Sequence, residues 1–237
     1  MRRIFGQVDL SNGRILLSPE EEKHLRVIRV GIGEELEILS LGKAYRAVCR
    51  SYKPYRFELV SREPVPSREL GKELILLLPL LKKDHFEFCL QKGTELGVTR
   101  FVPFVSKRGI KRISSQEFEE KRPRFEKILE EAVEQSNRTD VPGLDPLKDY
   151  KDALLVHHSA GFIAYEDEAL KGIKISLAGK DSSSVAYLFG PEGGFAKDEV
   201  ELAVGNGFIP VKLGKRILRA ETAAVYGLSV LAYFMED

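Results

Sequence analysis

Two glycine-containing stretches in the last quarter of the chain hold the residue types best suited to bind a ligand. The first, Leu188–Phe195, has three glycines within five residues. Glycine lets a loop adopt positive φ angles and lets its backbone approach a bound molecule closely. The second stretch, Leu213–Thr222, combines a glycine with Arg219 and Glu221. An arginine can stabilise a developing anion and a glutamate can accept a proton, so this pair could serve a reaction in which a substrate is deprotonated.

Both stretches are expected to connect a buried strand to a helix. Apolar runs predict strands at 185–189 and 208–213, and helical patterns follow at 197–206 and 223–234. Ligands of α/β folds collect where strands end, because main-chain donors and helix N-termini point there. A tight turn is the simpler interpretation of one such loop, but two neighbouring loops favour a binding site.

The chain from residue 73 onward is predicted to form an α/β domain with a parallel sheet, because buried apolar runs alternate with helical periodicity. Further strands are expected at 73–81, 100–105 and 153–158. Asp84 is expected to cap a helix that closes at Gly97, and Ser114 to open another through a capping box. His157, at the end of the strand at 153–158, could line a ligand pocket. A Gly-x-Gly-x-x-Gly fingerprint is absent after the first strand, which disfavours a dinucleotide enzyme.

Residues 1–69 predict a small β-rich module that ends in a proline-rich, charged linker. Short strand candidates at 4–10, 14–17, 35–39, 44–49 and 56–60 suggest a small barrel. One helix begins with a capping box at Ser18 and Pro19 at its first position, and Leu25 and Ile28 can pack inward. A solvated face paired with neighbouring glutamates explains any single arginine of this helix about as well as RNA binding does. The candidate phosphate contacts are Arg2, Arg3, Lys23, His24, Arg26 and Arg29.

Composition and charge favour a protein that contacts a polyanion and disfavour a membrane, secreted or zinc-binding protein. Residues 1–72 carry 14 Lys and Arg against 10 Asp and Glu, whereas residues 141–237 carry 10 against 14. A basic N-terminal part favours contact with a polyanion, although the excess is modest. The longest apolar run is too short for a membrane span, and no secretory signal opens the chain. Two cysteines without zinc spacing predict no metal site and a cytoplasmic location.

The two loops together resemble the cofactor-binding half of the SPOUT methyltransferases, whose chain is threaded into a trefoil knot. Three other stretches carry the same resemblance: His24–Arg29, Gln91–Val98 and Glu131–Arg138. The resemblance is closest to the branch that methylates N3 of a uridine in the 16S ribosomal RNA of the small subunit. It implies a PUA-like RNA-binding domain over 1–69 and a knotted SPOUT domain over 70–237. It also implies S-adenosylmethionine as the cofactor and a homodimer.

The resemblance assigns roles to the residues of both loops. The adenine is expected near Leu213, Ile217 and Leu218, and the ribose and methionine near Gly190, Glu192 and Gly194. Arg219 or Arg138 is expected to stabilise the uracil anion. Glu221 is expected to accept the N3 proton, or instead to fix Arg219 or cap the last helix. The other cofactor contacts are expected at Phe189, Gly193, Gly214, Ala220 and Thr222.

The last helix is rich in small residues. Ala223, Ala224 and Gly227 permit a close approach of neighbouring backbone. A knotted, dimer-forming core would need this, but an ordinary buried helix can have the same composition, so the sequence leaves both interpretations open.

Other functions also stay open. A non-catalytic RNA-binding or ribosome-assembly protein on the same scaffold would bind RNA with a steep salt dependence and consume no S-adenosylmethionine. A SPOUT methyltransferase could act on another RNA position. A general nucleotide-binding enzyme would instead bind ATP or NAD.

Overall fold

The structure, a computed structural model, describes residues 1–109, 113–166 and 183–236. It contains two compact units, residues 1–69 with 133–141, and residues 70–132 with 142–237. The first unit therefore includes residues 133–141, which the sequence analysis assigned to the second domain.

The first unit consists mainly of short strands. Its main sheet has the order β1-β4-β5-β6, in which β1 runs parallel to β4 and the other pairs are antiparallel. β2 and β3 form a separate antiparallel ribbon. The elements are β1 (Arg2–Phe5), β2 (Gln7–Asp9), β3 (Arg14–Leu16), α1 (Pro19–Val27), β4 (Glu35–Ser40), β5 (Lys43–Tyr52) and β6 (Tyr55–Leu59).

The predicted start of α1 is confirmed. The Ser18 hydroxyl accepts a hydrogen bond from the Glu21 N–H at 3.1 Å, and Pro19 is the first helical residue. Leu25 is fully buried among the β4 and β5 side chains, and Ile28 packs against the same cluster. The three-residue spacing of these apolar side chains thus fixes which face of α1 covers the sheet.

A buried polar network ties residues 133–141 to the rest of the first unit. Arg138 is buried, and its Nε and Nη2 atoms donate to Glu69 Oε2 at 2.9 and 2.7 Å. The Thr139 N–H donates to Glu69 Oε1 at 2.8 Å. Arg3 Nη1 donates to the Arg138 carbonyl at 2.7 Å, and Arg3 Nη2 pairs with Glu37 Oε2 at 2.5 Å. A segment distant in sequence therefore completes the unit.

The second unit contains a parallel sheet covered by helices, as the sequence predicts. The strand order is β10-β8-β7-β12-β11-β13, with β9 also beside β8, and every pair is parallel. The strands are β7 (Glu73–Pro79), β8 (Arg100–Val105), β9 (Gly143–Leu144), β10 (Lys148–Asp149), β11 (Ala160–Ala164), β12 (Ser184–Leu188) and β13 (Phe208–Val211). The helices are α2 (Lys83–Glu95), α3 (Ser115–Ser136), α4 (Tyr150–Ala153), α5 (Lys197–Gly205) and α6 (Ala220–Met235), and the last residues of α3 belong to the first unit.

The sheet has an apolar core on each face, because successive strand residues point to opposite sides. Leu74, Leu76 and Leu78 of β7 belong to one buried cluster, together with side chains of α2, α3 and α6. Ile75 and Leu77 belong to the other, with side chains of α4 and α5. This two-sided burial explains why β7 is a continuous apolar run.

Strand β12 lies between two strands that precede it in the sequence. Leu188 is opposite Leu77 of β7 and Ile163 of β11. Because all three strands are parallel, their carboxyl ends meet at one edge of the sheet.

The predicted strand at 153–158 is wrong. Tyr150–Ala153 is helical, and the strand is Ala160–Ala164. The sequence did not predict this strand, because Gly161 lies within it and a glycine usually indicates a turn. A Cβ atom at Gly161 would lie 2.5 Å from His158 Nε2, so the close approach of this imidazole requires a glycine within the strand.

Two predicted helix starts also differ from the structure. Lys82 is the N-cap of α2, so Asp84 lies in the first turn and is not the cap. An acid there still interacts favourably with the positive end of the helix. Helix α6 begins at Ala220 instead of residue 223. Among the described helices, none is both long and apolar enough to cross a bilayer.

Candidate active site

Three of the connections at the carboxyl edge of the parallel sheet follow β7, β12 and β13 and lead into α2, α5 and α6. Both glycine loops of the sequence analysis are among them. The segment after β7 was not predicted to belong to the site, because the sequence does not reveal that β7 lies next to β12 in the sheet.

The glycines of the first loop are required for different reasons. The Gly194 N–H donates to the Pro191 carbonyl at 2.8 Å, which closes a turn, and Gly194 has φ of +66°. A Cβ atom at Gly190 would lie 3.3 Å from the Gly194 main chain, and one at Gly193 would lie 2.6 Å from the Arg108 carbonyl oxygen. At Gly194 a Cβ atom would meet nothing within 4 Å. The Gly194 backbone is therefore open to a ligand.

The Phe189 side chain belongs to the core and cannot contact a ligand. It is fully buried and stacks on Tyr187 with ring centroids 6.2 Å apart. The Tyr187 hydroxyl donates to the Ala223 carbonyl at 2.8 Å, and a Cβ atom at Gly227 would lie 2.2 Å from this hydroxyl oxygen. The neighbour that approaches Gly227 closely is therefore a side chain and not the backbone that the sequence predicted, and this contact packs α6 against β12.

The second loop exposes its apolar and basic residues. Gly214 has φ of +147°, which favours glycine. Ile217 is 83% exposed, and Arg219, the N-cap of α6, is also exposed. Leu213 and Leu218 are half-buried. Ala220 is buried and Thr222 exposed in the first turn of α6, so the predicted contacts of this stretch belong partly to a helix.

Two predicted site residues, Glu192 and Glu221, meet around a histidine that the sequence analysis missed. His85 Nδ1 lies 3.8 Å from Glu192 Oε1 and 3.6 Å from Glu221 Oε2. The Lys82 N–H donates to Glu192 Oε1 at 3.2 Å. Glu192 Oε2 is buried and has no hydrogen-bond partner within the described residues. The rule that strand ends carry ligand-binding residues, applied to β7, would have indicated Lys82 and His85.

Cys89 lies one turn further along α2 and is not a nucleophile. Burial, together with the charges of Glu221 and Glu192, raises the pKa of its thiol to about 12. A thiol that stays protonated at neutral pH cannot attack a substrate.

Arg138 has a structural role in place of the catalytic role that the sequence analysis suggested. Its guanidinium is buried in the first unit and bound to Glu69. A side chain held in this way is not available to a substrate.

The predicted RNA-contacting residues separate into exposed and buried groups. Arg3 is buried and paired with Glu37, so its predicted contact with phosphate is wrong. Arg2, Lys23, Arg26 and Arg29 are exposed. Arg2 pairs with Glu34 at 2.9 Å and Arg26 with Glu22 at 3.1 Å. Exposed pairs contribute little stability, so these arginines can exchange a carboxylate for a phosphate.

His24 faces carboxylates of its own unit. Its imidazole and the carboxylates of Glu21 and Glu134 have ligand atoms within 4.8 Å of one another. This arrangement favours a packing role for His24 over the predicted contact with RNA.

His157 lies at the opposite edge of the sheet from the two loops. It precedes the amino end of β11 and borders an open cavity of about 460 Å³ together with His158 and Asn206. The predicted position of His157 at a strand carboxyl end is therefore wrong, and this cavity is separate from the loops.

Comparisons with known proteins identify the family of this chain. Residues 68–232 match the family model for an RNA methyltransferase domain. The ribosomal RNA small subunit methyltransferase E of Bacillus subtilis is 31% identical, over 100% of this chain and 98% of that protein. Its counterpart in Aquifex aeolicus is 30% identical, over 98% and 99%. The crystal structure of the Neisseria gonorrhoeae ribosomal RNA small subunit methyltransferase E bound to S-adenosyl methionine matches with a TM-score of 0.86 and 30% identity, over 98% of this chain and 97% of that chain. The chain therefore belongs to the RNA methyltransferase family, within the group of ribosomal RNA small subunit methyltransferases E.

Proposed function

We propose that the protein transfers a methyl group from S-adenosylmethionine to N3 of a uridine in the 16S ribosomal RNA of the small subunit. The observation that supports this most is the full-length likeness to ribosomal RNA small subunit methyltransferases E, one of which is bound to S-adenosyl methionine. A ribosomal substrate implies a cytoplasmic enzyme. The choice of uridine N3 follows the sequence resemblance to the branch with that specificity.

The residues at the carboxyl edge fit this methyl donor. S-adenosylmethionine carries a positive sulfonium and a positive ammonium group. Glu192 and Glu221 offer two carboxylates whose side chains are only 18% and 17% exposed. The buried, unpartnered Oε2 atom of Glu192 can accept a hydrogen bond from the ligand, and the open backbone of Gly194 allows close approach.

Main-chain groups provide most of the remaining contacts in this proposal. Gly190 and Gly194 border the ribose and the methionine part, and Leu213, Ile217 and Leu218 border the adenine. Main-chain donors and acceptors suit a neutral base, because they orient it without adding charge. Phe189, Gly193, Gly214 and Ala220 contribute backbone, and Thr222 contributes an exposed hydroxyl.

The bound donor supplies an electrophilic methyl group, and the chain must remove the N3 proton and place the uracil in line with it. Arg219 is exposed at the N-cap of α6, where its cation can stabilise the uracil anion. Glu221 lies in the first turn of the same helix and can accept the proton. Its contact with His85 equally suits a role in holding the site together.

The first unit would act as a PUA-like RNA-binding module. Its exposed Arg2, Lys23, Arg26 and Arg29 can bind phosphates, and such contacts weaken as salt is added.

The second unit would have a trefoil knot, and the insertion of β12 between β7 and β11 is compatible with that threading. A homodimer is part of this proposal. The largely apolar α6, which still exposes Tyr226 and Tyr233, offers a surface that a second copy could cover.

Transfer of a labelled methyl group to undermethylated small subunits tests the function. The protein and labelled S-adenosylmethionine are incubated with the subunits, and the RNA is digested and analysed by mass spectrometry. The expected product is 3-methyluridine at one position. Salt-sensitive RNA binding without transfer would favour the non-catalytic alternative, and a different methylated nucleoside would contradict the uridine N3 assignment.

A panel of nucleotide ligands tests the cofactor separately. S-adenosylhomocysteine should raise the melting temperature, because a ligand that binds only the folded state stabilises it. Stabilisation by ATP or NAD instead would contradict the proposal.

A further inference from the structure

His85 connects three segments of the candidate site. It lies in the first turn of α2, directly after β7, while Glu192 lies in the loop after β12 and Glu221 in the first turn of α6. Its Nδ1 atom is 3.8 Å from one carboxylate and 3.6 Å from the other. That atom is buried and has no hydrogen-bond partner within the described part of the chain. One imidazole therefore faces both carboxylates without satisfying a hydrogen bond to either.

The electrostatics of this contact depend on the charge of the imidazole. Two largely buried carboxylates repel each other strongly, because the surrounding protein screens their charges poorly. Lys82 meets Glu192 through its main-chain N–H, which adds no charge. Cys89, on the next turn, stays neutral because its pKa is raised to about 12 by burial and by the two carboxylates. Among the side chains that the structure describes, the one with a ring nitrogen within ion-pair distance of both Glu192 and Glu221 is His85.

We propose that His85 is a positioning residue of the methyl-transfer site, whose ring nitrogen offsets the repulsion between Glu192 and Glu221 and holds them in the arrangement that binds the methyl donor. This inference rests on the proposed function, because it assigns a role within that site. A side chain that cannot pair with both carboxylates would leave their repulsion unopposed, so the donor should bind less tightly.

Two variants at this position separate charge from shape. His85→Lys keeps a cation up to about pH 10, and His85→Gln keeps a similar size without a charge. The affinity of each protein for S-adenosylhomocysteine is measured by calorimetry at one pH, so the charge of the ligand is the same for every variant.

The expected results form a pattern. His85→Lys should bind within about threefold of the wild type, a difference below 1 kcal/mol. His85→Gln should bind about tenfold more weakly than the wild type, which corresponds to about 1.4 kcal/mol. In methyl transfer, His85→Gln should raise the KM for the donor and leave kcat nearly unchanged, because the residue acts on binding.

Several outcomes would overturn the inference. Equal affinity of the wild type and His85→Gln would exclude a role of the imidazole in holding the two carboxylates. A fall in kcat alone would indicate a catalytic role. Loss of binding in His85→Lys as well as His85→Gln would indicate a purely structural role. If His85→Gln does not fold, His85→Asn replaces it as the uncharged variant. A wild type that binds no S-adenosylhomocysteine contradicts the proposed function itself, which distinguishes the two failures.

Discussion

Gly193 and Gly194 are neighbours in the first loop, yet glycine is required at each for a different reason. At Gly193 a side chain would collide with the Arg108 carbonyl, and at Gly194 the backbone has a positive φ angle with open space beside it. The effect of a substitution at Gly194 can therefore be attributed to backbone strain and to the ligand, and not to a clash within the protein.

Gly194→Val should weaken binding of S-adenosylhomocysteine by about tenfold or more. A left-handed conformation costs an ordinary residue roughly 1–2 kcal/mol, and a β-branched side chain tolerates it least. Calorimetry measures the affinity, and thermal unfolding shows that the chain still folds. Gly194→Asn is the matched control, because asparagine adopts this conformation readily. Normal affinity in Gly194→Val would remove this loop from the cofactor site.

At the scale of single residues, the sequence predicted the site residues that lie in a recognisable motif. It did not predict the residue that reaches the site only through the order of the strands. Glu192 and Glu221 were predicted because each lies in a recognisable loop. His85 was missed because its partners are distant in sequence and meet it only through the order of the strands. The burial of Arg3 and Arg138 could not be predicted, because Arg3 donates to the Arg138 carbonyl across 135 positions of the sequence.

At the scale of elements, the contact between α6 and β12 shows how a small residue in a helix can be required. Tyr187 of β12 reaches α6 where Gly227 leaves space, and its hydroxyl donates to the Ala223 carbonyl. Burial raises the pKa of this phenol, so it stays a hydrogen-bond donor at neutral pH.

Gly227→Ala should destabilise the protein, whereas Gly205→Ala should not. The new methyl group at Gly227 would lie 2.2 Å from the Tyr187 hydroxyl oxygen, and overpacking of this kind costs about 1–3 kcal/mol. At Gly205, in α5, a Cβ atom meets nothing within 4 Å, and alanine should gain up to about 1 kcal/mol. Urea unfolding measures both, and similar effects of the two substitutions would contradict this account.

Most elements of the second unit were predictable, because they follow simple periodicity. β7, β8 and β12 are continuous apolar runs buried on both faces, and the capping box at Ser114 forms with reciprocal bonds to Glu117. The strand β11 was misplaced because Gly161 broke its pattern. Apolar residues before it suggested a strand at 153–158, where the chain leaves the short helix Tyr150–Ala153 and has no regular structure. A local sequence pattern does not show that a glycine is required by a contact with another part of the fold.

At the scale of the molecule, the first unit depends on a segment that enters it from far along the chain. Burial raises the pKa of Glu69, but the hydrogen bonds from Arg138 and from the Thr139 and Asp140 N–H groups outweigh burial, and the pKa is lowered overall. A carboxylate with a lowered pKa contributes stability that is present above its unfolded pKa and is lost as the pH falls through the folded value.

Arg138→Met should lower the free energy of unfolding by about 3 kcal/mol at neutral pH, because it leaves the Glu69 carboxylate buried without its partner. The wild type should lose part of its stability below about pH 4, where the unfolded carboxyl group takes up a proton. This acid loss should be smaller in the variant, since burial then opposes ionisation. Urea unfolding at several pH values measures both effects.

The control is the double variant Glu69→Gln with Arg138→Met. It removes the unpaired charge of the Glu69 carboxylate and should recover part of the lost stability. A double variant no more stable than Arg138→Met alone would contradict the ion-pair explanation.

The position of β12 also has a consequence during protein synthesis. When a ribosome has released the chain as far as β11, both β7 and β11 lack the neighbour that will separate them, and β12 emerges only afterwards. Until then, each strand presents a row of free amide and carbonyl groups beside apolar side chains, which is a template for aggregation. A nascent or truncated chain that stops before Ser184 should therefore need a chaperone to stay in solution, whereas the finished chain buries this strand edge itself.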